Sequence, residues 1–407
     1  MTGGLRTLSR TAQRSLTAAP RALGRGVQWG VLGLAGYHSV VALWGWRIPP
    51  PAPAGPRRRP FRVLVPAHDE AAVLGGLLGD LARQDYPRER VRVEVVADRC
   101  ADGTAQVARA HGAVAAERAE GVPGKGPALA WRLAAAPLVP GEALVVLDAD
   151  NRVPPDLLAR FDAELAAGAH ALQAYLDVAN PDGSVLATAS ALTYWAGNRM
   201  VQLARRNLGW SADLGGTGMC LSPEALEAVG GIGGSLTEDT ELTVTLALAG
   251  ISVTWLHDVR VRDEKPESVG VAVRQRARWV QGKRAVARRW AGPLLRHALT
   301  ARAPGSADLA LRLVQPGRSF LALVTGLLGL AAAGTRTGAL LPWPVWATAA
   351  GVQVGLPVPF LARDGLPARY LARYPFVTVI ALLWVPIRIA SRLRTATWYH
   401  TPHRGTP

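Results

Sequence analysis

The sequence contains few cysteines, few lysines and few acidic side chains, and each scarcity narrows what the chain can be. Its 407 residues include two cysteines, Cys100 and Cys220, which are too few for a disulfide framework and lack the spacing of a zinc site. Charged residues make up 19% of the chain, below the average for soluble domains, whereas hydrophobic residues make up 49%. This balance predicts a protein with a membrane-associated part.

The shortage of acidic residues leaves a formal net charge of +16, and arginine carries nearly all of it because the lysines are limited to Lys125, Lys265 and Lys283. Such a charge is typical of a nucleic-acid-binding protein or of the cytoplasmic side of a membrane protein. Uncharged apolar runs flanked by tryptophan favour the membrane interpretation. A basic membrane protein without catalytic activity stays open as an alternative.

Apolar runs and proline-rich stretches divide the chain. Strand-like and helix-like patterns alternate over residues 61–315, which is typical of a sheet covered by helices. Uncharged runs on either side are long enough to span a bilayer, and a shorter run followed by arginines predicts an interfacial helix. The predicted segments are a basic N-terminal arm (1–26), a transmembrane helix (27–46), a proline-rich linker (47–60), an α/β domain (61–315), a transmembrane hairpin (319–362), and an interfacial helix with a tail (371–407).

The stretch "ALVVLDADNR", residues 143–152, is an apolar run that ends on Asp148 and Asp150. Side chains two positions apart on a strand point the same way, so two carboxylates repel each other unless a positive charge lies between them. A divalent cation with oxygen ligands would supply that charge. A turn at the end of a strand, where aspartate is common, is the ordinary alternative.

Two further strands are followed by acidic residues, Glu70 in "VLVPAHDE" and Asp98 in "VVADRCADGT". Each alone is explained by acidic residues in the first turn of a helix. Ligands of open α/β sheets, however, bind beyond the carboxyl ends of the strands. We therefore expect Asp98, Asp148 and Asp150 to share one edge of the sheet.

The segment "SLTEDTELTVTLALAG" begins at Ser235, whose spacing to Glu238 fits a capping box ahead of a helix. The functional interpretation is a carboxylate at the helix start that takes a proton from a hydroxyl group. Asp239 is the better candidate for that base, and Glu238 for the cap. Helix capping alone remains an equal alternative.

Basic residues concentrate in "RQRARWVQGKRAVARRW", residues 274–290, and Lys125 lies between two glycines. A basic helix on a membrane surface explains the first stretch, but arginines one turn apart can also clamp a diphosphate through paired hydrogen bonds. A glycine-flanked lysine before a helix suits a phosphate, although plain glycine-rich loops are equally common.

The ordered set "PAHDE", "ADRCADGT", "GKG", "DAD", "GGTGMC", "TED" and "QRARW" resembles the membrane-bound family 2 glycosyltransferases, relatives of the cellulose, chitin, hyaluronan and poly-N-acetylglucosamine synthases. The match covers roughly residues 60–290, and the terminal "WYHTPH" is similar to the cytoplasmic tails of that family. The resemblance implies a GT-A (Rossmann-like) fold: a mixed α/β sheet with helices on both faces, plus N- and C-terminal transmembrane or interfacial helices. Asp69 departs from the family pattern, which usually has asparagine there, and Ala97 and Arg99 are unusual neighbours of Asp98.

The resemblance also implies roles for particular residues. Glu70 and Asp98 would hold the nucleobase and ribose of a UDP-sugar, and Lys125 would contact its diphosphate. Asp239 would be the general base, next to Glu238. The remaining implied residues are Asp148 and Asp150 at the nucleotide sugar and its metal (Mg²⁺ or Mn²⁺), Gln275, Arg278 and Trp279 beside the acceptor and the leaving diphosphate, and Gly216, Thr217 and Gly218 in the cleft.

The implied activity is inverting transfer of a sugar from a UDP-sugar to a hydroxyl group in polysaccharide or glycolipid synthesis. A single addition to a lipid acceptor is the alternative. The expected partners are the donor, a carbohydrate or lipid acceptor, and membrane lipid, with no nucleic acid; a homo-oligomer or an export partner is also conceivable. The predicted location is the cell membrane, with several spans and a cytoplasmic catalytic domain.

Overall fold

The computed structural model describes residues 24–334 and 339–393. Contacts between Cα atoms divide the chain into two compact units. We call the described parts of Met1–Leu43 and Pro316–Leu382 the terminal unit, and those of Trp44–Gln315 and Leu383–Pro407 the sheet unit. Most of the predicted N-terminal arm and the "WYHTPH" stretch lie outside the described residues.

A seven-stranded sheet forms the centre of the sheet unit, with strand order β3-β2-β1-β4-β6-β5-β7. β6 is antiparallel to both of its neighbours, and the other adjacent pairs are parallel. The predicted mixed α/β sheet is therefore confirmed. The strands are β1 (Phe61–Ala67), β2 (Val91–Asp98), β3 (Val114–Arg118), β4 (Ala143–Val146), β5 (Ala171–Val178), β6 (Met219–Leu221) and β7 (Val253–Asp263).

The central strands are apolar because both of their faces are covered. Every residue of β4 is buried, and β1 is buried except at Pro66, as expected for strands inside an α/β sheet. Phe61 and Phe161 pack into the same core as Leu74 and Leu77 of the first helix after β1. β3, at the edge of the sheet, is less covered: Val114 and Glu117 are exposed, and Arg118 is its one buried residue.

Because β1, β2, β4, β5 and β7 run in one direction, their carboxyl ends lie at the same edge of the sheet. The antiparallel β6 brings its amino end to that edge instead. The register places Val178 opposite Asp263 and Ala67 opposite Ala97. This edge, which we call the acidic edge, is where ligands of open α/β sheets bind.

Helices connect the strands and extend beyond them, and three of them lie close to the helices that the sequence predicts over 70–84, 103–112 and 126–136. The longest, α10, carries the basic stretch over 32 residues. The helices are α1 (24–42), α2 (Ala71–Ala82), α3 (Thr104–Ala110), α4 (Lys125–Ala135), α5 (Leu157–Ala166), α6 (Val185–Gly197), α7 (Ala204–Asn207), α8 (Pro223–Val229), α9 (Glu238–Leu248), α10 (Val269–Thr300), α11 (Pro304–Val314), α12 (Arg318–Gly334), α13 (Trp343–Gly355), α14 (Pro357–Arg363), α15 (Ala368–Arg373), α16 (Phe376–Ile380) and α17 (Trp384–Leu393).

The proline-rich linker packs onto α5. The backbone N–H of Arg57 donates a hydrogen bond of 2.7 Å to Oδ2 of Asp162, a side chain that is otherwise buried. Gly55 passes so close to this carboxylate that a Cβ there would lie 2.7 Å from Oδ2. Glycine is therefore required for the approach, and the linker is part of the sheet unit.

One helical stretch among the described residues, Trp343–Arg363, is long and apolar enough to cross a membrane by length and composition. A second arises only if α11 and α12 are counted together as one broken span. The span predicted over 27–46 folds as α1 followed by the 3-10 turn Leu43–Trp46 and does not meet this criterion. The structure therefore does not support the predicted multi-pass arrangement.

Candidate active site

A cavity of about 780 Å³ lies at the acidic edge. Gly216 and Thr217 line it and Gly218 does not, and all the charged, amide and aromatic side chains predicted for the site line it. These residues come from segments more than 200 positions apart in the sequence, and the sheet topology brings them together. They are Glu70, Asp98, Lys125, Asp148, Asp150, Glu238, Asp239, Gln275, Arg278 and Trp279.

Asp148 lies just beyond β4 and forms an ion pair with Lys125, whose Nζ also donates a 2.7 Å hydrogen bond to the carbonyl of Gly216. The backbone N–H of Asp148 donates to Oγ1 of Thr217 at 2.9 Å and to Oδ1 of Asn151 at 3.0 Å. Burial lowers the pKa of Lys125, but Asp148 and Glu238 outweigh this effect and raise it. Lys125 therefore stays a cation at the centre of the site.

The surroundings of Asp150 disfavour the ionised form of its carboxyl group. Burial raises the pKa of Asp150 to about 8, and the carboxylates of Asp148 and Asp263 add to the shift, whereas Lys265 opposes it. The ionised form of such a cluster is stabilised when further positive charge enters it. The surroundings of Asp150 therefore favour a cationic ligand.

Asp263, the last residue of β7, lines the same cavity. The backbone N–H groups of Arg152 and Arg262 each donate a 2.9 Å hydrogen bond to the other residue's carbonyl, which holds the turn after Asp150 against the end of β7. Oδ2 of Asp263 is paired with Lys265, but its buried Oδ1 has no hydrogen-bond partner among the described residues. No motif in the sequence marks Asp263; its place at a strand end on the acidic edge was the available signal.

Glu238 and Asp239 open α9, and the helix is capped by Thr237 without a side-chain hydrogen bond. The capping-box interpretation of Ser235 and Glu238 is therefore wrong, because Ser235 lies outside the cap and its buried Oγ has no hydrogen-bond partner. Burial raises the pKa of Glu238 to about 7, Asp239 adds to it, and Lys125 opposes it.

Burial also raises the pKa of Asp239, against the opposing effects of the Thr240 backbone N–H, Lys125 and Arg278. Gly216, at φ +82°, faces this carboxylate, and a Cβ there would lie 3.4 Å from Oδ2 of Asp239. The glycine supplies a left-handed backbone that other residues rarely adopt. It also keeps the space beside the carboxylate open to a ligand.

α10 reaches the cavity because Gly282 lets it pack against the residue before α9. A Cβ at Gly282 would lie 2.7 Å from Oγ1 of Thr237 and closer still to its Cγ2. On the same helix, Nη1 of Arg278 donates a 3.3 Å hydrogen bond to the carbonyl of Leu236. This packing positions the "QRARW" residues beside Asp239.

A family model described as "Glycosyltransferase like family 2" matches residues 56–282, more than half of the chain. This protein belongs to glycosyltransferase family 2.

Curated relatives of this family 2 protein include two proteins named Beta-monoglucosyldiacylglycerol synthase. The one from Synechocystis sp. (strain ATCC 27184 / PCC 6803 / Kazusa) is 30% identical over 236 residues, covering 54% of this chain and 47% of the relative. The one from Trichormus variabilis is 26% identical over 281 residues, covering 63% of this chain and 57% of the relative. The chain thus spans about half the length of the curated relatives it matches.

Among solved structures, the mannosyltransferase PcManGT from Pyrobaculum calidifontis, in complex with GDP-Man and Mn²⁺, superimposes with a TM-score of 0.59 at 21% identity. The match covers 92% of this chain and 98% of that one. It shows that the two proteins share the GT-A fold.

Asp98 and Glu70, the two residues predicted to hold the nucleobase and ribose, differ in their surroundings. Asp98 is buried, and each of its oxygens accepts a 2.8 Å hydrogen bond, one from Arg99 and one from Arg118. Burial raises the pKa of Glu70 to about 8, with Asp150 and Asp148 as the next causes. Glu70 thus interacts electrostatically with the turn that carries Asp148 and Asp150, which we call the acidic turn. The nucleobase and ribose roles of Glu70 and Asp98 remain predictions.

Among the described residues, one group of three side chains has the close spacing of a metal site: Asp69, Cys100 and Asp102. Their oxygens already accept backbone hydrogen bonds. Oδ1 of Asp69 binds the N–H of Ala101 at 2.6 Å, and Oδ2 of Asp102 binds that of Ala71 at 3.0 Å. These contacts explain why the three side chains lie close together: they join the loops that precede α2 and α3.

Proposed function

We propose that this protein transfers a sugar, with inversion, from a UDP-sugar to a hydroxyl group of a lipid acceptor in glycolipid synthesis at the cytoplasmic side of the membrane. One observation carries the proposal: a single cavity at the acidic edge is lined by the buried Asp239, by Lys125 and Arg278, and by the acidic turn. The names of the curated relatives, which are synthases of a glucosyl diacylglycerol, support a lipid acceptor.

Asp239 is the proposed base. Burial raises its pKa, and a more basic carboxylate is a better proton acceptor for a hydroxyl group. The acceptor oxygen attacks the anomeric carbon as its proton passes to Asp239, and the bond between that carbon and the diphosphate oxygen breaks. A single displacement of this kind inverts the configuration.

Lys125 and Arg278 are proposed to face the departing diphosphate. Both line the cavity next to Asp239, and both counteract its raised pKa. Fixed positive groups in a partly desolvated site stabilise charge that develops on a leaving group. The guanidinium of Arg278 can make paired hydrogen bonds to phosphate oxygens, and the ammonium of Lys125 acts as a point charge.

The side chains at and beside the acidic turn have the donor chemistry for a divalent cation, although Asp148, Asp150 and Asp263 do not have the close spacing of a formed metal site in this structure. Asp148 and Asp150 offer carboxylate oxygens, and the unpartnered Oδ1 of Asp263 is a third oxygen donor. Oxygen donors of this type suit Mg²⁺ or Mn²⁺, and a bound cation would neutralise charge on the donor diphosphate. The ion pair between Lys125 and Asp148 offsets part of the acidic charge.

The test is release of the nucleoside diphosphate, UDP or GDP, by the purified full-length protein from a panel of UDP- and GDP-sugars, with diacylglycerol or an oligosaccharide as acceptor. Asp239→Asn should retain UDP binding and lose about 10²–10⁴-fold in turnover. Asp258→Asn, an exposed acid paired with Arg160 at 3.1 Å, is the matched control and should leave turnover unchanged. Full turnover by Asp239→Asn would place the base elsewhere, and transfer only from GDP-sugars would refute the UDP donor.

A further inference from the structure

A second cavity, of about 330 Å³, lies between α10 and α17 in the sheet unit. It is lined by Gln281, Arg284, Ala285, Arg288, Ser391 and Arg392, and we call these residues the arginine groove. None of them lines the cavity at the acidic edge. The groove is therefore a separate feature that sugar transfer does not explain.

Two contacts shape the arginine groove. The α10 residues that line it are spaced three to four positions apart and so share one face of the helix. Nε2 of Gln281 donates a 2.9 Å hydrogen bond to the carbonyl of Ser391, which joins the two walls. At the start of α17, the ring of Trp384 lies 5.9 Å from the guanidinium carbon of Arg276. α17 is thus held along α10 by contacts at both ends.

The charge in the arginine groove is uncompensated. Arg284, Arg288 and Arg392 line it together with no acidic side chain, and within the described residues none of the three forms an ion pair. Arg289, next to Arg288 on α10, instead pairs with Glu241 at 3.2 Å. Burial lowers the pKa of Arg388, and Arg392 and Arg284 lower it further by like-charge repulsion. An anion in the groove would relieve this repulsion.

An apolar stripe on α17 leads to the arginine groove. Val385 and Ile389 are 46% and 53% exposed, and with Arg392 they are spaced four and three residues apart, which places all three on one side of the helix. Exposed apolar side chains beside basic ones are the pattern of a helix that lies at a lipid surface. The groove and the stripe together match a ligand with an anionic head and apolar chains.

We propose that the arginine groove binds the phosphate of an anionic phospholipid, whose acyl chains lie along Val385 and Ile389. Guanidinium groups bind phosphate oxygens through paired, charge-assisted hydrogen bonds. This site goes beyond the proposed function and does not depend on it, because it uses none of the residues at the acidic edge.

The test is calorimetric titration of the full-length protein, purified in a neutral detergent, with short-chain dihexanoyl phosphatidylglycerol. Saturable binding is expected, and Arg284→Gln combined with Arg288→Gln should weaken it about thirtyfold, from about 1 kcal/mol for each arginine. Arg58→Gln combined with Arg90→Gln removes the same charge from two exposed positions elsewhere in the sheet unit. This control should bind the lipid as the unmodified protein does.

Two further ligands separate the alternatives. Dihexanoyl phosphatidylcholine has the same chains without the net negative charge and should bind far more weakly; equal binding would overturn recognition of an anion. Inorganic phosphate that binds as tightly as the lipid would show a small-anion site and overturn the lipid. Ile389→Ser should weaken lipid binding and leave phosphate binding unchanged. Unaltered lipid binding by the double arginine variant would also refute the proposal.

Discussion

Two acidic residues at strand ends, Asp98 and Asp263, differ in how their carboxylates are satisfied. Both oxygens of Asp98 accept hydrogen bonds from guanidinium groups, whereas Asp263 keeps a buried oxygen without a hydrogen-bond partner. A buried polar atom without a partner costs free energy unless a ligand satisfies it. Of the two, Asp263 is therefore the one whose carboxylate a further ligand would stabilise.

Replacement of Asp263 by asparagine should weaken Mn²⁺ binding about tenfold or more, an effect of the size seen when residues that support a metal site are changed. The amide removes a negative charge from the acidic turn and keeps the side chain's size. Electron paramagnetic resonance of free Mn²⁺, measured with UDP present, reports the affinity without any need for turnover. Asp258→Asn, on the same strand, is the control.

Asp150→Asn serves as the reference for this measurement. If it abolishes Mn²⁺ binding while Asp263→Asn has no effect, the role of Asp263 as a third ligand is refuted, and the cation site at the acidic turn is supported. If neither variant changes the affinity, the cation site at the acidic turn is itself refuted.

Individual residues were predictable where a general rule placed them. Strand ends on one edge of a sheet predicted that Asp98, Asp148 and Asp150 would meet, and all three line one cavity. Their partners were not predictable, because a sequence does not say which of many arginines or lysines reaches a given carboxylate. The pairing of Asp148 with Lys125 and that of Asp98 with Arg118 depend on side-chain reach across the folded sheet.

At the scale of elements, α10 joins the proposed acceptor side to the proposed base. Gly282 is the point of closest approach, because it faces Thr237 immediately before α9. A helix interior ordinarily disfavours glycine, so its presence here has a packing reason. The spacing of α10 from α9 sets how near Arg278 lies to Asp239.

Gly282→Ala should push α10 away from Thr237, lower stability by about 1–3 kcal/mol through overpacking, and reduce turnover more than it changes UDP affinity. Gly197→Ala is the matched control, since a Cβ at this helical glycine meets nothing within 4 Å. The control should gain roughly 0.5–1 kcal/mol from helix propensity and keep its activity. Thermal unfolding and steady-state kinetics are measured on both variants. If Gly282→Ala has the same turnover as Gly197→Ala, the packing of α10 on Thr237 does not position the site.

Helices and long strands were predictable from periodicity, but β6 was not. It consists of Met219–Leu221, too short for an alternating pattern, and it follows a run of glycines. Its antiparallel pairing with both β4 and β5 is decided by long-range contacts. The apolar run over 338–362 contains two consecutive helices, and the second begins at Pro357, where proline suits a first turn.

At the scale of the whole molecule, burial of an acidic group in the site lowers the free energy of unfolding by an amount that depends on pH. The folded pKa of Glu238 is about 7, above the ordinary value of 4.5, chiefly because of burial. Between these two pH values the unfolded chain releases this proton while the folded protein retains it. Ionisation then favours the unfolded state, so the contribution of Glu238 to stability falls as pH rises through this window.

Glu238→Gln should therefore gain stability relative to the unmodified protein as pH rises from 4.5 to about 7, by on the order of 2–3 kcal/mol. Melting temperatures measured across this range in metal-free buffer give the difference between the two proteins at each pH. The residue is 6% exposed, so solvent screening is small. If the melting temperatures of the two proteins differ by the same amount at every pH in this range, a raised pKa for Glu238 is contradicted.

The docking of residues 47–60 on α5 decides where the polypeptide can be shortened. A fragment that starts at Phe61 would delete the amide that Arg57 supplies to Asp162 and leave a desolvated negative charge inside the protein. Recombinant versions intended for crystallisation or assay therefore need to retain residues 47–60, even though their proline- and arginine-rich composition is typical of a linker.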